Sequence, residues 1–239
     1  MAAGGGGAWA GLWSTLLDLA VLLLLTALAL DRFVPPQHLP WKPLRLSDPI
    51  GAATFAKVLS AGADPAACRR VLREGGLRFS EAPDRTSGEF CEIRDAVRLT
   101  GGMTPLSPAA PTMTCRLALG AALWDRQVLQ PAARAELGSG VARIEHYGTY
   151  ACRRQYGAAS GRPSEHARAN AFDVAGVRLE DGRRITVASD YRDEAAEGRF
   201  LRRVREGACG TVKVVLGPDY NAAHRDHFHF DQGPFRTCR

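Results

Sequence analysis

Four histidines and one aspartate form the densest group of chemically reactive residues in the chain. His224, His227 and His229 fall within six residues, and His166 and Asp173 lie about fifty positions earlier, seven residues apart. Imidazole nitrogens and carboxylate oxygens are common ligands of zinc in proteins. The spacing therefore predicts a metal site that is assembled from two separate segments.

The local sequence patterns predict how these residues are positioned. Alternation over 227–230 indicates a short strand, with its two histidines on one face and its two phenylalanines in the core. Asp173 belongs to a predicted strand over 171–179, and His166 belongs to the loop before it. Two histidines and one aspartate leave a fourth tetrahedral position for water, which is typical of catalytic rather than structural zinc.

The order of the predicted elements indicates an α+β fold, in which N-terminal helices are followed by a small, mostly antiparallel sheet that carries the zinc site. Apolar periodicity and capping residues predict the helices, and runs rich in β-branched and aromatic residues predict the strands. Helices are predicted over 50–59, 65–73, 115–128, 131–137 and 194–206. Strands are predicted over 91–99, 141–150, 171–179, 184–189, 211–216 and 227–230.

Residues 1–30 are predicted to be a signal anchor or a cleaved signal peptide. The stretch 8–30 is largely apolar and is long enough to span a bilayer if Asp18 is tolerated. Its Ala-Leu-Ala sequence at 27–29 resembles a cleavage site, but no Lys or Arg precedes the apolar run. We therefore expect an anchor, with cleavage as the alternative.

The rest of the chain is predicted to be a tether and one domain. Residues 31–47 contain four prolines, which predicts a stiff, extended tether, and residues 48–239 form the domain.

Basic residues follow the apolar segment, and the positive-inside rule would keep that side of the membrane cytoplasmic. The net charge of +6 suits an anionic partner. No basic tract is interleaved with aromatic residues, so we expect no binding of nucleic acid.

The six cysteines predict that the domain lies outside the cytoplasm, against the positive-inside rule. None of them is in a Cys-x-x-Cys pair. Well-spread cysteines behind an apolar leader are typical of disulfides in an oxidising compartment. Six cysteines allow fifteen pairings. We predict Cys68–Cys91, Cys115–Cys152 and Cys209–Cys238. Six reduced thiols in the core of a cytosolic protein are the alternative.

Two motifs resemble those of known proteins. The run 164–173, with Ser-x-His and an aspartate seven residues after the histidine, and the later His227-x-His229 resemble the zinc peptidases that cut bacterial peptidoglycan peptides. The spacing of His224 from this pair is most similar to that of the murein endopeptidases. The surrounding sequence resembles the extensin-like C-terminal domain family from about residue 35 to the end. The segments that carry this resemblance include 114–115, 150–153 and 216–221.

The resemblance implies a role for each clustered residue. His166, Asp173 and His229 match the zinc ligands, His227 matches the proposed base or transition-state stabiliser, and His224 matches its supporting histidine. Two positions depart from the peptidase pattern. Ala169 stands where the peptidases usually have glycine, and Asp226 stands where the dipeptidase branch has its glutamate base.

The resemblance also implies a function and a location. A zinc-dependent hydrolase of peptidoglycan amide bonds, of endopeptidase or carboxypeptidase type, is expected in the bacterial envelope. Its domain would lie in the periplasm, anchored to the inner membrane or secreted. Arg153 and Arg154 either hold a substrate carboxylate or are solvated surface residues, whereas Tyr150 and Tyr220 are expected to pack. The alternative function is a non-catalytic module that retains the metal and binds or organises the cell wall.

Overall fold

The computed structural model describes residues 6–239, with side chains from Gly11 onward. Its helices are α1 Gly6–Phe33, α2 Thr54–Ala61, α3 Pro65–Glu74, α4 Cys115–Trp124, α5 Gln130–Leu137, α6 Val187–Asp190 and α7 Ala196–Ala208. Its strands are β1 Arg78–Glu81, β2 Arg85–Ser87, β3 Cys91–Ile93, β4 Ala96–Gly101, β5 Leu106–Ser107, β6 Thr112–Thr114, β7 Val141–Gly148, β8 Ala171–Leu179, β9 Arg184–Thr186, β10 Val214–Leu216, β11 Phe228–Asp231 and β12 Thr237–Cys238. This content confirms the predicted α+β class.

The main sheet has the strand order β12-β10-β11-β8-β7-β5, and β9 also pairs with β8. Strands β7, β8, β9, β10 and β11 pair antiparallel with one another, while β5 and β12 add parallel edges. The turn at Glu180 to Gly182 connects β8 to β9, as the sequence predicts, and Gly182 has a φ of 90° there. The sheet is therefore mostly antiparallel, and β8 lies near its centre.

The core lies between this sheet and helices α4, α5 and α7. The indole of Trp124 meets Phe230 edge to face at 5.2 Å, and its Nε1 donates to Val204 O. Phe228 and Phe230 are each 1% exposed, which confirms that the alternation in β11 turns its phenylalanines inward. A buried aromatic layer of this kind holds β11 in a fixed register against the helices.

Helices α4 and α5 form one continuous rod joined by a π-helical turn over Asp125–Leu129. Asp125 is buried there and accepts hydrogen bonds from the backbone N and the hydroxyl of Thr104. The rod ends at Gly138, which adopts the left-handed conformation with a φ of 69°. The sequence predicts this end correctly because glycine is favoured at that position.

Two of the three predicted disulfides are wrong. The structure joins Cys68 to Cys115, Cys91 to Cys152 and Cys209 to Cys238, so the predicted Cys68–Cys91 and Cys115–Cys152 bridges do not form. The prediction paired neighbours in sequence. In the fold, α3 packs beside α4, and β3 lies beside the segment that follows β7. The pairing is therefore set by tertiary packing between distant segments.

The predicted extended tether instead packs on the domain. Leu44 and Leu46 are buried in the main core, and Gln127 Nε2 donates to Leu46 O. The helix predicted from residue 50 begins only at Thr54, because Ala53 N is bonded to Gln37 O in the preceding segment. Residues before 48 thus contribute to the folded unit.

The end of α1 is held by the same segment. Asp31 accepts a hydrogen bond from Trp41 Nε1 at 3.0 Å and forms an ion pair with Lys42 at 2.6 Å. Within α1, the span Gly11–Phe33 is long and apolar enough to cross a membrane, and none of it is buried against the domain. An exposed N-terminal apolar helix of this kind suggests a signal sequence or a membrane anchor.

Candidate metal centre

The centre is built on the pairing of β8 with β11. His229 stands directly opposite Asp173 in this antiparallel register, and His229 Nδ1 lies 2.9 Å from Asp173 Oδ1. The neighbouring pair, Phe230 and Phe172, is buried on the other face of the sheet. Strand alternation therefore aims the imidazole and the carboxylate together at the same side.

A tight turn brings His166 to this pair. Residues Glu165–Arg168 form a 3-10 turn, and the Ser164 hydroxyl accepts a hydrogen bond from His166 N. The turn ends at Ala169, which has a φ of 51° and is fully buried. Glycine adopts this left-handed conformation at the least cost, so an alanine here is less favourable than the glycine of the motif that the sequence resembles. The Ala169 carbonyl accepts a hydrogen bond from Thr114 N, and its methyl group is buried in a small cluster with Ile93 and Ala96.

The three predicted ligands come together as expected. One donor atom from each of His166, Asp173 and His229 can be chosen so that all lie within 4.8 Å of one another. His166 Nε2 is buried and stands 3.0 Å from Asp173 Oδ2, yet it has no hydrogen-bond partner among the described residues. A buried imidazole nitrogen without a hydrogen bond is costly in a protein interior. A metal ion at this point would satisfy it, so the donor set fits a zinc site.

A fourth residue, Asp231, orients His229. Its Oδ2 lies 2.8 Å from His229 Nε2, while its Oδ1 accepts from Gly233 N. The Nε2–H of His229 therefore points to Asp231, and Nδ1 is the nitrogen that faces Asp173 and would bind a metal once it has lost its proton. A carboxylate that binds the outer nitrogen of a ligand histidine is a common device for fixing its tautomer.

The electrostatics of the metal-free centre follow from this packing. Burial lowers the pKa of His229, but the flanking carboxylates of Asp173 and Asp231 outweigh burial and raise it to about 9. Burial alone would raise the pKa of Asp173, yet the imidazoles of His166 and His229 hold that pKa well below its usual range. The carboxylate is therefore ionised at neutral pH, as a metal ligand must be.

His227 faces the centre without joining the ligand cluster. Its Nδ1 lies 2.9 Å from Asp226 Oδ1, and its Nε2 lies 3.7 Å from Asp173 Oδ1. The Asp226 carboxylate favours the tautomer with the proton on Nδ1, so Nε2 is the free basic nitrogen. Asp226 therefore orients His227 by this hydrogen bond, and it does not itself line the cleft.

His224 completes the row of imidazoles. Its Nδ1 lies 2.7 Å from Asn221 Oδ1, and its ring stands 5.3 Å from that of His227. Burial, together with the nearby His229 and His227, lowers the pKa of His224 to about 4. The ring is consequently neutral at physiological pH and packs beside His227 without adding charge.

These residues line a cleft of about 790 Å³, a volume within the range of small-molecule binding sites. Arg153 lines this cleft, whereas Arg154 is drawn away and stacks over Phe90. Tyr150 lies outside the cleft. Tyr220, predicted to pack, is instead 39% exposed beside His224.

Two residues beside His224 have no role that the sequence predicts. Asn221, which supports His224, and Tyr156, whose ring stands 6.3 Å from that of His224, lie in irregular segments without periodicity. The two histidines predicted to be ordinary polar residues do lie apart: His38 Nδ1 bonds Ala52 N, and His146 Nε2 bonds Pro108 O.

Comparison with known proteins places the chain in a family. The model of the extensin-like protein C-terminus matches residues 66–239, which is most of the sequence. The chain therefore belongs to the extensin-like C-terminal family. No curated protein and no solved structure matches it.

Proposed function

We propose that this protein is a zinc-dependent hydrolase of amide bonds in peptidoglycan peptides. The observation that carries the proposal is the convergence of His166, Asp173 and His229 on the wall of an open cleft, with His227 Nε2 3.7 Å from the Asp173 carboxylate. Three ligands beside an open cleft and a free basic nitrogen are what metal-assisted hydrolysis requires. The motif resemblance to the peptidoglycan peptidases supplies the substrate class.

In this proposal His166, Asp173 and His229 hold the zinc. When bound, zinc supplies Lewis-acid chemistry, which polarises a carbonyl and makes water more acidic. His227 accepts and returns a proton at Nε2 during attack on the amide and departure of the amine. Asp226 holds the tautomer that this step needs, and His224 fixes the plane of the His227 ring from the side.

Two guanidinium groups suit the carboxylates of a peptidoglycan peptide. Arg153 and Arg162 both line the cleft and are exposed, and within residues 11–239 neither forms an ion pair with a carboxylate of the chain. Unpaired guanidinium groups bind carboxylates well because they offer two parallel N–H donors. The substrate would therefore present a free carboxylate on this side of the metal.

We further propose that α1 anchors the domain at the inner membrane, with the domain in the periplasm. The span of 23 residues is long enough to cross the hydrocarbon core. Three disulfides are compatible with the periplasm and with secretion. The Asp31 contacts with Trp41 and Lys42 would hold the domain close to the bilayer surface.

The test is a digestion assay with the zinc-loaded full chain. Purified peptidoglycan and a panel of soluble muropeptides are incubated with the protein and analysed by mass spectrometry. We expect products that carry one added water per cut and a new amino group, and none with His229→Ala. If no product forms while the chain still sediments with intact wall, the hydrolase proposal fails and the non-catalytic wall-binding module replaces it.

A further inference from the structure

Exposed aromatic side chains concentrate around the metal cleft. Among the described residues after Ile50, the large apolar side chains exposed to solvent are Tyr147, Tyr156, Tyr220 and Phe235. Three of them line the cleft, and the ring of Tyr147 lies 5.6 Å from that of His227. Concentrated exposed aromatic surface marks a recognition site more often than scattered surface does.

Tyr156 is held in an unfavourable backbone conformation. Its φ of 55° lies in the left-handed region, which costs a bulky residue free energy. The segment that carries it is pinned by the Cys91–Cys152 disulfide and by the Arg154 side chain, which donates to Gly161 O. Tyr156 is 62% exposed, so burial of its ring offsets little of the free energy that this conformation costs. Its role is therefore something other than stabilising the fold.

Tyr156 and Tyr220 form a paired platform, defined here by these two rings. Asn221 Nδ2 donates to the Tyr156 hydroxyl at 3.3 Å, and the neighbouring Tyr156 side chain raises the pKa of Tyr220. Both rings rest against His224, at centroid distances of 6.3 and 5.6 Å. The Tyr156 hydroxyl is thus held by Asn221, while a large part of each ring remains open to solvent.

The openness of this platform indicates the kind of ligand that it suits. An apolar peptide side chain is bound best in a pocket that removes most of its surface from water. Tyr156 and Tyr220, at 62% and 39% exposure, offer an open surface instead. An open aromatic ring suits a flat ligand with C–H groups on its face and hydroxyls at its edge, and a pyranose ring has this form.

The charges around the cleft argue against a polyphosphate chain. The carboxylates of Glu165, Asp173 and Asp231 line the same walls as three arginines, and one of these, Arg168, is paired with Glu165. A nucleic acid requires a continuous basic path for its phosphates. An uncharged saccharide is not repelled by the carboxylates of the cleft.

We propose that the Tyr156–Tyr220 platform binds a sugar ring of the glycan strand, so that the substrate is a glycan-linked peptide and not a free peptide. This inference rests on the proposed function for its connection to hydrolysis, but saccharide binding itself does not depend on turnover. Stacking on both rings would hold the strand beside His224 and present its attached peptide to the metal.

The experiment titrates the full chain, held in lipid nanodiscs so that no sugar detergent competes, with a β-1,4-linked tetramer of N-acetylglucosamine. Calorimetry measures the affinity of the chain and of Tyr156→Ala and Tyr220→Ala. We expect saturable binding that weakens about tenfold or more in each variant, an effect of the size found when one stacked nucleobase loses its aromatic side chain. Trp41→Ala is the matched control, because Trp41 is 56% exposed but lies away from the cleft.

A second variant separates ligand contact from folding. Tyr156→Trp keeps an aromatic face, so we expect it to retain binding and to shift its indole fluorescence when the tetramer is added. Absence of tetramer binding, alanine variants that both bind as tightly as the unmutated chain, or Tyr156-dependent binding of only a peptide or an oligonucleotide would overturn the inference. Hydrolysis of free muropeptides with no tetramer binding would refute saccharide binding by the platform and leave the proposed hydrolase standing. Tetramer binding without hydrolysis would refute only the hydrolase.

Discussion

His229 and Asp173 face each other across two antiparallel strands, with Nδ1 and Oδ1 2.9 Å apart. Their positions are fixed by the register of β8 and β11, and that register is in turn held by the buried Phe172 and Phe230 pair behind them. A slip of one residue would turn His229 into the core. The candidate metal centre and the core are therefore specified by the same strand pairing.

Removing a ligand should remove the metal. The full chain is expected to bind close to one zinc, and His229→Ala or Asp173→Ala should reduce zinc content to background because two donors cannot hold the ion. Elemental analysis after zinc reconstitution and dialysis measures this. His38→Ala serves as the control, since His38 is an exposed histidine outside the cleft, and should retain full occupancy. An unmutated chain that binds no zinc would refute the site.

Asp231 should tune the metal affinity without binding the ion. Asp231→Asn keeps the shape of the side chain but loses the charge that faces His229 Nε2. Changes to such supporting groups typically weaken metal affinity about 10–100-fold. Competition with a zinc chelator gives the dissociation constant. Asp226→Asn, next to the non-ligand His227, is the matched control and should retain nearly unmutated affinity; equal weakening in both variants would argue against the assignment.

The Ala169 position should tolerate glycine but not a branched residue. Ala169→Gly relieves the left-handed conformation while adding flexibility to the unfolded chain, so stability should change by no more than about 1 kcal/mol. Ala169→Val should cost roughly 2–4 kcal/mol, because it adds left-handed strain and two methyl groups at a fully buried site. Denaturant unfolding of both variants tests this, and equal stability of the two would contradict the backbone argument.

The disulfides should be intact in protein taken from its native compartment. Peptide mapping without reduction should recover Cys68–Cys115, Cys91–Cys152 and Cys209–Cys238. Replacing both Cys209 and Cys238 with alanine should lower the free energy of unfolding by about 3–4 kcal/mol, from the loop that this bridge closes. Six free thiols in freshly extracted protein would instead place the domain in the cytoplasm, as the positive-inside rule suggests.

The ligand cluster could be predicted from the sequence because its spacing is local. Each motif is a short run, and strand alternation decides which way His229 and its neighbouring phenylalanines point. Ala171–Leu179 was predicted with its observed bounds, since nine residues rich in apolar side chains leave little ambiguity. The π-helical turn and the short edge strands gave no comparable signal.

Features that depend on distant segments could not be read from the sequence. The pairs Cys68–Cys115 and Cys91–Cys152 follow from packing between elements far apart in the chain. The surrounding prolines predict a tether at Leu46, yet this residue is buried against Gly75, and its carbonyl accepts a hydrogen bond from Gln127 in the π-helical turn. Tyr156 is a single aromatic residue in a loop, and its place beside His224 arises only when the loop is folded back by Cys152.

The most direct test of the account compares turnover by the unmutated chain and His227→Ala at matched zinc content. His227 is assigned to proton transfer and not to coordination, so zinc content should be unchanged while muropeptide hydrolysis falls about 10²–10⁴-fold. Mass spectrometry of timed digests measures the rates, with His38→Ala as a control that should cut at the unmutated rate. Hydrolysis by His227→Ala within a few-fold of the unmutated rate, at equal zinc, would contradict the assignment of His227 as the base of this centre.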